Sequence, residues 1–208
     1  MTLPLMERFW CDAVRKVIAM IQIIALCALL TGCDSGTTAD KATEIKGNIY
    51  DTGEFQALIP EGWEAFPVPD VFSDTANAVK TSCFYIIKGG VSAADIHAKP
   101  YIRLEYLDPG MQLADPDPAF YKNIENVPPL DLGDFSWIGY VCEDCFGGYG
   151  KPVIGRMAVL WTETDSIRYE AVIRLKFNGR KEKISLEDRD VLAILASVEH
   201  SQKKLQSE

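Results

Sequence analysis

The fold class is decided by one stretch of the chain, Ile167-Arg168-Tyr169-Glu170-Ala171-Val172-Ile173-Arg174-Leu175-Lys176-Phe177. Apolar side chains at the odd positions point one way along it. The charged side chains point the other way, with Val172 as the exception; they are Arg168, Glu170, Arg174 and Lys176. A period of two is typical of a strand with one face on a core and the other face in water. The sequence therefore predicts a sheet with one polar face.

Four further segments carry strand patterns. Residues 101–107 alternate in the same way, and residues 83–87 are apolar on both faces, as in a central or helix-covered strand. Residues 135–142 and 153–162 are predicted as strands, and Thr164-Asp165-Ser166 makes a tight connection into the next one. Trp63, Trp137 and Trp161 lie on or beside these strands and are predicted as core residues.

Helix signals are fewer. After Ser185, a predicted N-cap, an apolar stripe at helical spacing indicates a last helix; it consists of Val191, Ile194, Leu195 and Val198. Asp117-Pro118 predicts a shorter helix that runs to about Ile124, and a third helix is expected from Ser92. The predicted fold class is thus α+β: one antiparallel β-sheet flanked by two or three helices.

The N-terminal segment carries a targeting signal. Arg15 and Lys16 precede an apolar run from Val17 to Leu30, and Leu30-Thr31-Gly32-Cys33 closes it. This arrangement resembles the signal peptide and lipobox of bacterial lipoproteins, which implies cleavage before Cys33 and lipid on its thiol. The alternative, a transmembrane helix, needs about 20 apolar residues, and this run is shorter.

The resemblance to lipoproteins divides the chain. It implies a signal peptide at 1–32 and lipid on Cys33. The small, polar residues that follow predict a flexible tether, so that the lipidated tether spans 33–46, and the rest of the chain is predicted as one domain at 47–200 and a polar tail at 201–208. Lipid on Cys33 would anchor the protein in the bacterial cell envelope, facing the periplasm. Asp34 resembles the signal that retains lipoproteins in the inner membrane, so that membrane is favoured, with the outer membrane as the alternative.

Two segments of the domain resemble a known family. The opening strand and Pro-x-Gly-Trp turn at 55–63 are similar to those of PsbP-like domains, and 190–198 resembles their closing helix. The resemblance implies an antiparallel sheet between helices and a binding or assembly role rather than catalysis. No metal ligands carry over to positions in this chain.

Charge excludes one class of partner. The full chain has net charge −9, and removing residues 1–32 takes away three basic and two acidic side chains, which leaves −10. Nucleic-acid binding requires clustered Lys and Arg, so no nucleic-acid partner is expected. No cofactor is expected either.

Three cysteines remain after the lipidated one: Cys83, Cys142 and Cys145. A structural disulfide is the first interpretation, with its connectivity left open, because the periplasm is oxidising. A redox pair is disfavoured, since Cys142-Glu143-Asp144-Cys145 ends a strand rather than beginning a helix. A metal site would need ligands such as Cys83 and His97 to meet the pair.

No catalytic motif occurs in the chain, and a non-enzymatic function is predicted. The expected function is protein interaction or assembly at the membrane, with an envelope protein as partner. The predicted contact surface combines the hairpin tip at 142–150, with Phe146 and Tyr149, and the polar strand face with Arg168 and Arg174. The alternative to an exposed tip is that both aromatics fold back onto the sheet. The alternative function is thiol or metal binding by the three cysteines.

Overall fold

The computed structural model describes residues 45–75, 77–108, 116–145, 152–162 and 168–201. Strands make up 59% of the structure and helices 9%. The strands, in chain order, are β1 Gly47–Asp51, β2 Phe55–Pro60, β3 Trp63–Pro69, β4 Val79–Lys88, β5 Tyr101–Leu107, β6 Tyr121–Leu132, β7 Phe135–Cys145, β8 Val153–Thr162, β9 Arg168–Phe177 and β10 Glu199–His200. The α-helix α1 spans Arg189–Ala196, and a 3-10 helix spans Ala93–His97.

Two antiparallel sheets form the fold. The large sheet has the strand order β3-β4-β5-β9-β8-β7-β6, and the small sheet has the order β1-β2-β10. The small sheet and α1 cover one face of the large sheet, called here the inner face. Phe55 on β2 and Ile194 on α1 meet Phe84, Leu104 and Ile173 of the large sheet there, all of them fully buried. The opposite, outer face carries the candidate site.

The alternating stretch at 167–177 forms β9, at the centre of the large sheet. Tyr169, Ala171, Ile173 and Leu175 are all buried on the inner face, as predicted. The predicted strands at 101–107 and 153–162 correspond to β5 and β8. The predicted strand at 135–142 extends to Cys145 as β7. Ile167 and the connection at 164–166 lie outside the described residues.

The predicted fold class was wrong. The described residues are mostly β and hold one α-helix, not an antiparallel sheet flanked by two or three helices. The helical layers that the resemblance to PsbP-like domains implied on both sides of the sheet are likewise not found in the described ranges. A small sheet lies beside α1 on the inner face, and no helix of the described ranges covers the outer face.

The helix predicted from Asp117 forms only one turn. Tyr121 N–H and Phe120 N–H both donate to Asp117 O, at 3.0 and 2.9 Å. The helix-start signal at Asp117-Pro118 therefore produces a single turn and no longer helix. From Tyr121 onward the chain pairs with β7 as the edge strand β6. Pairing with β7, the next strand in the chain, overrides a weak helical signal, and Pro128 and Pro129 would interrupt a longer helix.

The other two helix predictions fared differently. The helix expected from Ser92 is a five-residue 3-10 helix that ends before Pro100, as the steric effect of proline on the preceding residue favours. The last helix forms, but Asp188 rather than Ser185 occupies its N-cap position. Ser185 Oγ donates to Asp188 Oδ1 at 2.9 Å, which closes a turn ahead of the helix. The apolar stripe predicted for the last helix is buried.

Two polar contacts fasten α1 to its neighbours. Trp63 Nε1 donates to Asp190 Oδ2 at 3.0 Å, which links β3 to the start of the helix. Leu58 N–H donates to Ser197 Oγ at 2.8 Å, which links β2 to its end. Gly133, in the turn between β6 and β7, has φ +59°, and a Cβ there would lie 2.2 Å from Ala196 O. The close approach to the helix end therefore requires glycine at this turn.

Candidate binding groove on the outer face

Strand register builds the floor of the outer face in rows. One row runs across five strands and consists of Arg103, Val172, Val159, Tyr140 and Asn126. A neighbouring row consists of Glu105, Glu170, Trp161 and Ile138. Members of a row are directly opposite one another on adjacent strands, with Cβ atoms about 5 Å apart.

All members of these rows except Glu105 and Ile138 form the floor of an open groove of about 720 Å³. Its wall comes from the turn before β6 and the start of that strand, with Pro116, Asp117, Phe120, Tyr121 and Ile124. Phe120 is 48% exposed and Ile124 is 39% exposed, so apolar surface lines the rim. The volume lies within the range of about 300–1,000 Å³ that is common for ligand sites.

The aromatic side chains of the groove form one packed group. Tyr140 and Trp161 meet edge to face with ring centroids 6.1 Å apart. Tyr121 and Trp161 pack against a small buried cluster that includes Tyr140, Met157 and Val159. Burial raises the pKa of Tyr140 to about 12, with Cys142, Tyr121 and Glu170 adding smaller effects. The phenol therefore stays protonated.

Arg103 and two glutamates form the charged end of the groove. The Arg103 guanidinium makes an ion pair with Glu105, and its Nε donates to Cys83 Sγ at 3.3 Å. Glu170 lies directly opposite Glu105 on the adjacent strand. Burial raises the pKa of Glu170 above its ordinary value; the charge of Arg103 opposes this shift, and Glu105 adds to it. Arg103 thus makes its ion pair with Glu105 and acts on Glu170 only through the electrostatic effect of its charge.

Arg174 is not solvated, contrary to the expectation of a polar face in water. Its residue exposure is only 7%, and its guanidinium binds the Asp144 carboxylate, with Nη2 to Oδ2 at 2.7 Å. The ring of Phe177 lies 5.0 Å from the guanidinium carbon. This residue therefore fastens β9 to β7. Arg168 is half-buried, and Lys176 is exposed.

The three cysteines are buried free thiols. Cys83 and Cys142 lie on the outer face: Cys83 contacts Arg103, and Cys142 belongs to the cluster of Tyr140. Burial raises the pKa of Cys83 despite Arg103, and it raises the pKa of Cys142 to about 11, with Asp144 adding to the shift. A thiol held protonated is a poor nucleophile and a poor metal ligand.

Strand geometry argues against a Cys142–Cys145 bridge. Both residues lie on β7, and three residues of extended strand span about 10 Å, whereas disulfides need Cα atoms within about 7 Å. Across the described ranges, no group of three or more His, Cys, Asp or Glu side chains is placed to hold a metal ion.

Three predicted site residues cannot be placed. Cys33, Phe146 and Tyr149 lie outside the described residues, so the lipidation site and the proposed hairpin tip remain sequence predictions. The described segments include no helix long and apolar enough to cross a membrane.

Sequence reasoning did not identify the groove. Trp63 and Trp137 are core residues, as predicted, but Trp161 is half-buried on the outer face. The available signal was its position: Trp161 alternates with the inward-facing Leu160 and Thr162, and so points outward with Val159. The pairing of Trp161 with Glu170 depends on register, which the sequence does not display.

Comparisons with known proteins add little. No protein-family model and no curated protein matches the chain. A protein from Bacteroides thetaiotaomicron VPI-5482, with a crystal structure at 1.50 Å resolution, resembles it with a TM-score of 0.43 and 12% sequence identity. The match covers 77% of this chain and 50% of that chain, so this chain spans about half the length of that protein. A likeness of this size carries no argument about function.

Proposed function

We propose that this protein is a bacterial lipoprotein, anchored in the envelope through lipid on Cys33 and facing the periplasm. Its domain is a non-enzymatic protein-interaction module, and the groove on the outer face is its contact surface. Asp34 favours the inner membrane as the site of anchoring. The support for the anchor is the sequence of the leader, in which two basic residues, an apolar run and Leu30-Thr31-Gly32-Cys33 follow one another as in lipoprotein signal peptides.

The observation that carries the interaction role is the open groove itself. Seven strands present a face that α1 and the small sheet leave uncovered, and its centre is aromatic rather than uniformly charged. Aromatic side chains are enriched in the cores of protein interfaces. The exposed rim side chains, Phe120 and Ile124, extend the apolar surface toward a partner.

Thiol or metal binding, the alternative function, draws no support from the site. Cys83 and Cys142 have raised pKa values. Cys145 lies three residues beyond Cys142 on the extended strand β7, too far for the two thiols to meet. We therefore do not propose a second function.

The anchor is tested with the full chain in a Gram-negative host. Labelled palmitate should enter the wild-type protein, which should fractionate with membranes after cleavage of the leader. Cys33→Ser should take up no label and keep its leader. Cys83→Ser, a buried cysteine far along the chain, is the control and should label as the wild type does. Label on Cys33→Ser would refute the anchor.

The contact surface is tested by crosslinking in the same host. Phe120→Ser and Ile124→Ser remove apolar rim surface with little effect on the core, and each should lower the yield of crosslinked partner several-fold. Phe72→Ser is the matched control, because Phe72 is 89% exposed in the loop between β3 and β4 and does not line the groove. Equal yields from all three variants would remove the groove from the proposed function.

A further inference from the structure

The groove is short of positive charge. Glu170 and Asp117 contribute two carboxyl groups to its lining, and Glu105 adds a third beside the lining, against the one guanidinium of the lining, that of Arg103. That guanidinium is already engaged, with Glu105 on one side and Cys83 Sγ on the other. In the described part of the chain, no hydrogen bond or ion pair is made by the Glu170 carboxyl, although it lies at the groove surface. An unpaired carboxylate in such a place favours an incoming cation.

Aromatic rings flank that carboxyl. Trp161 is directly opposite Glu170 across β8 and β9, and its ring meets the ring of Tyr140 edge to face. The faces of Trp and Tyr rings attract ammonium and guanidinium groups, most strongly where water is partly excluded. Beside them, Val159, Val172 and Met157 provide an apolar floor. An anion would meet the carboxyl groups instead and is disfavoured.

We infer that the groove binds a basic side chain, lysine or arginine, presented by the partner protein. The aliphatic stem of that side chain lies along Val159 and Val172, and its charged group lies between Glu170 and the rings of Trp161 and Tyr140. This inference rests on the proposed function, since it names what the partner inserts. The net charge of −10 after the leader is removed favours approach by a basic surface.

The experiment uses the lipoprotein after removal of its leader, from Cys33 to Glu208, in nonionic detergent. The protein is labelled with 5-fluorotryptophan. The probes are two capped pentapeptides, acetyl-Gly-Ala-Lys-Ala-Gly-amide and the same peptide with norleucine in place of lysine. The lysine peptide should shift the fluorine resonance of Trp161 saturably and leave those of Trp63 and Trp137 in place. The norleucine peptide keeps the stem without the charge and should bind at least tenfold more weakly.

Variants and pH test the role of Glu170. Glu170→Gln should weaken binding of the lysine peptide about fivefold or more, whereas Glu64→Gln, an exposed glutamate on β3, should not change it. Binding to the wild type should strengthen as pH rises and Glu170 ionises, and this dependence should be absent in Glu170→Gln. The groups that face Glu170 are Arg103 and Glu105 from β5, Tyr121 from β6 and Tyr140 from β7, so Glu105→Gln serves to separate its contribution.

The outcomes separate the two proposals. Equal binding of the lysine and norleucine peptides, or no shift at Trp161, would overturn the inference. If Phe120→Ser and Ile124→Ser still lowered the crosslinking yield several-fold in that case, the groove would remain the contact surface. If the lysine peptide bound as expected but those variants crosslinked normally, the cation site would stand and the groove would be removed from the proposed function as the contact surface.

Discussion

At the scale of single residues, burial controls the chemistry of the outer face. Cys83, Cys142 and Glu170 all lie on strands where they lose water without gaining a full set of polar partners. The pKa of each rises because the charged form is disfavoured by burial. At Arg174, two hydrogen bonds from the guanidinium to Asp144 offset this cost, although the buried Nε has no hydrogen-bond partner among the described residues. The face is thus polar in sequence but only partly solvated in structure.

The state of the cysteines is a prediction at this scale. In the processed protein, iodoacetamide at pH 7.5 should modify Cys83 and Cys142 roughly 10²-fold more slowly than free cysteine, because both are buried and protonated. In urea without reductant, all three cysteines of the domain should react. Intact mass measures the number of adducts. A single adduct in urea would instead establish the disulfide that the sequence suggested.

At the scale of elements, β6 and α1 illustrate opposite outcomes. The helix predicted from Asp117 stops after one turn, because the chain beyond it completes the edge of the large sheet next to β7. Bulges and two prolines interrupt the pairing of β6, which is common on edge strands and protects them from pairing with other chains. The last helix persists because its apolar stripe matches the covered inner face.

The packing of α1 gives the prediction for this scale. Leu195→Ala should lower the free energy of unfolding by about 2–5 kcal/mol, since Leu195 is fully buried between the helix and the sheets. Leu192→Ala, the matched control, truncates a half-buried leucine of the same helix and should cost less than half as much. Urea unfolding measures both. Equal losses would contradict the assignment of the buried side of α1.

At the scale of the whole molecule, Glu170 couples stability to pH. Its raised pKa means that the folded protein binds more protons than the unfolded chain between the ordinary value near 4.5 and the folded value. The stabilisation is complete below the ordinary value and is lost as pH rises through the folded pKa. The free energy of unfolding therefore falls across this window.

Glu170→Gln isolates that contribution. Because glutamine mimics the neutral carboxyl, this variant should gain stability relative to the wild type between pH 4 and pH 7. Glu64→Gln, on an exposed position of β3, should show no such pH-dependent difference. Chemical unfolding at several pH values measures this. A constant difference between Glu170→Gln and the wild type across the range would exclude Glu170 as the titrating group.

The sequence by itself determined the two strands with strong alternation, β5 and β9, and the buried residues of the last helix. It did so because period-two and helical patterns are local and record which side of an element is buried. It also predicts a leader that ends before Cys33, and that prediction needs no knowledge of the fold. Only the tertiary structure decided that 121–132 is a strand, that Arg174 is buried with Asp144, and that Trp161 faces Glu170. Those facts depend on which strands pair and in which register, and register is set by packing of the whole sheet rather than by any one segment.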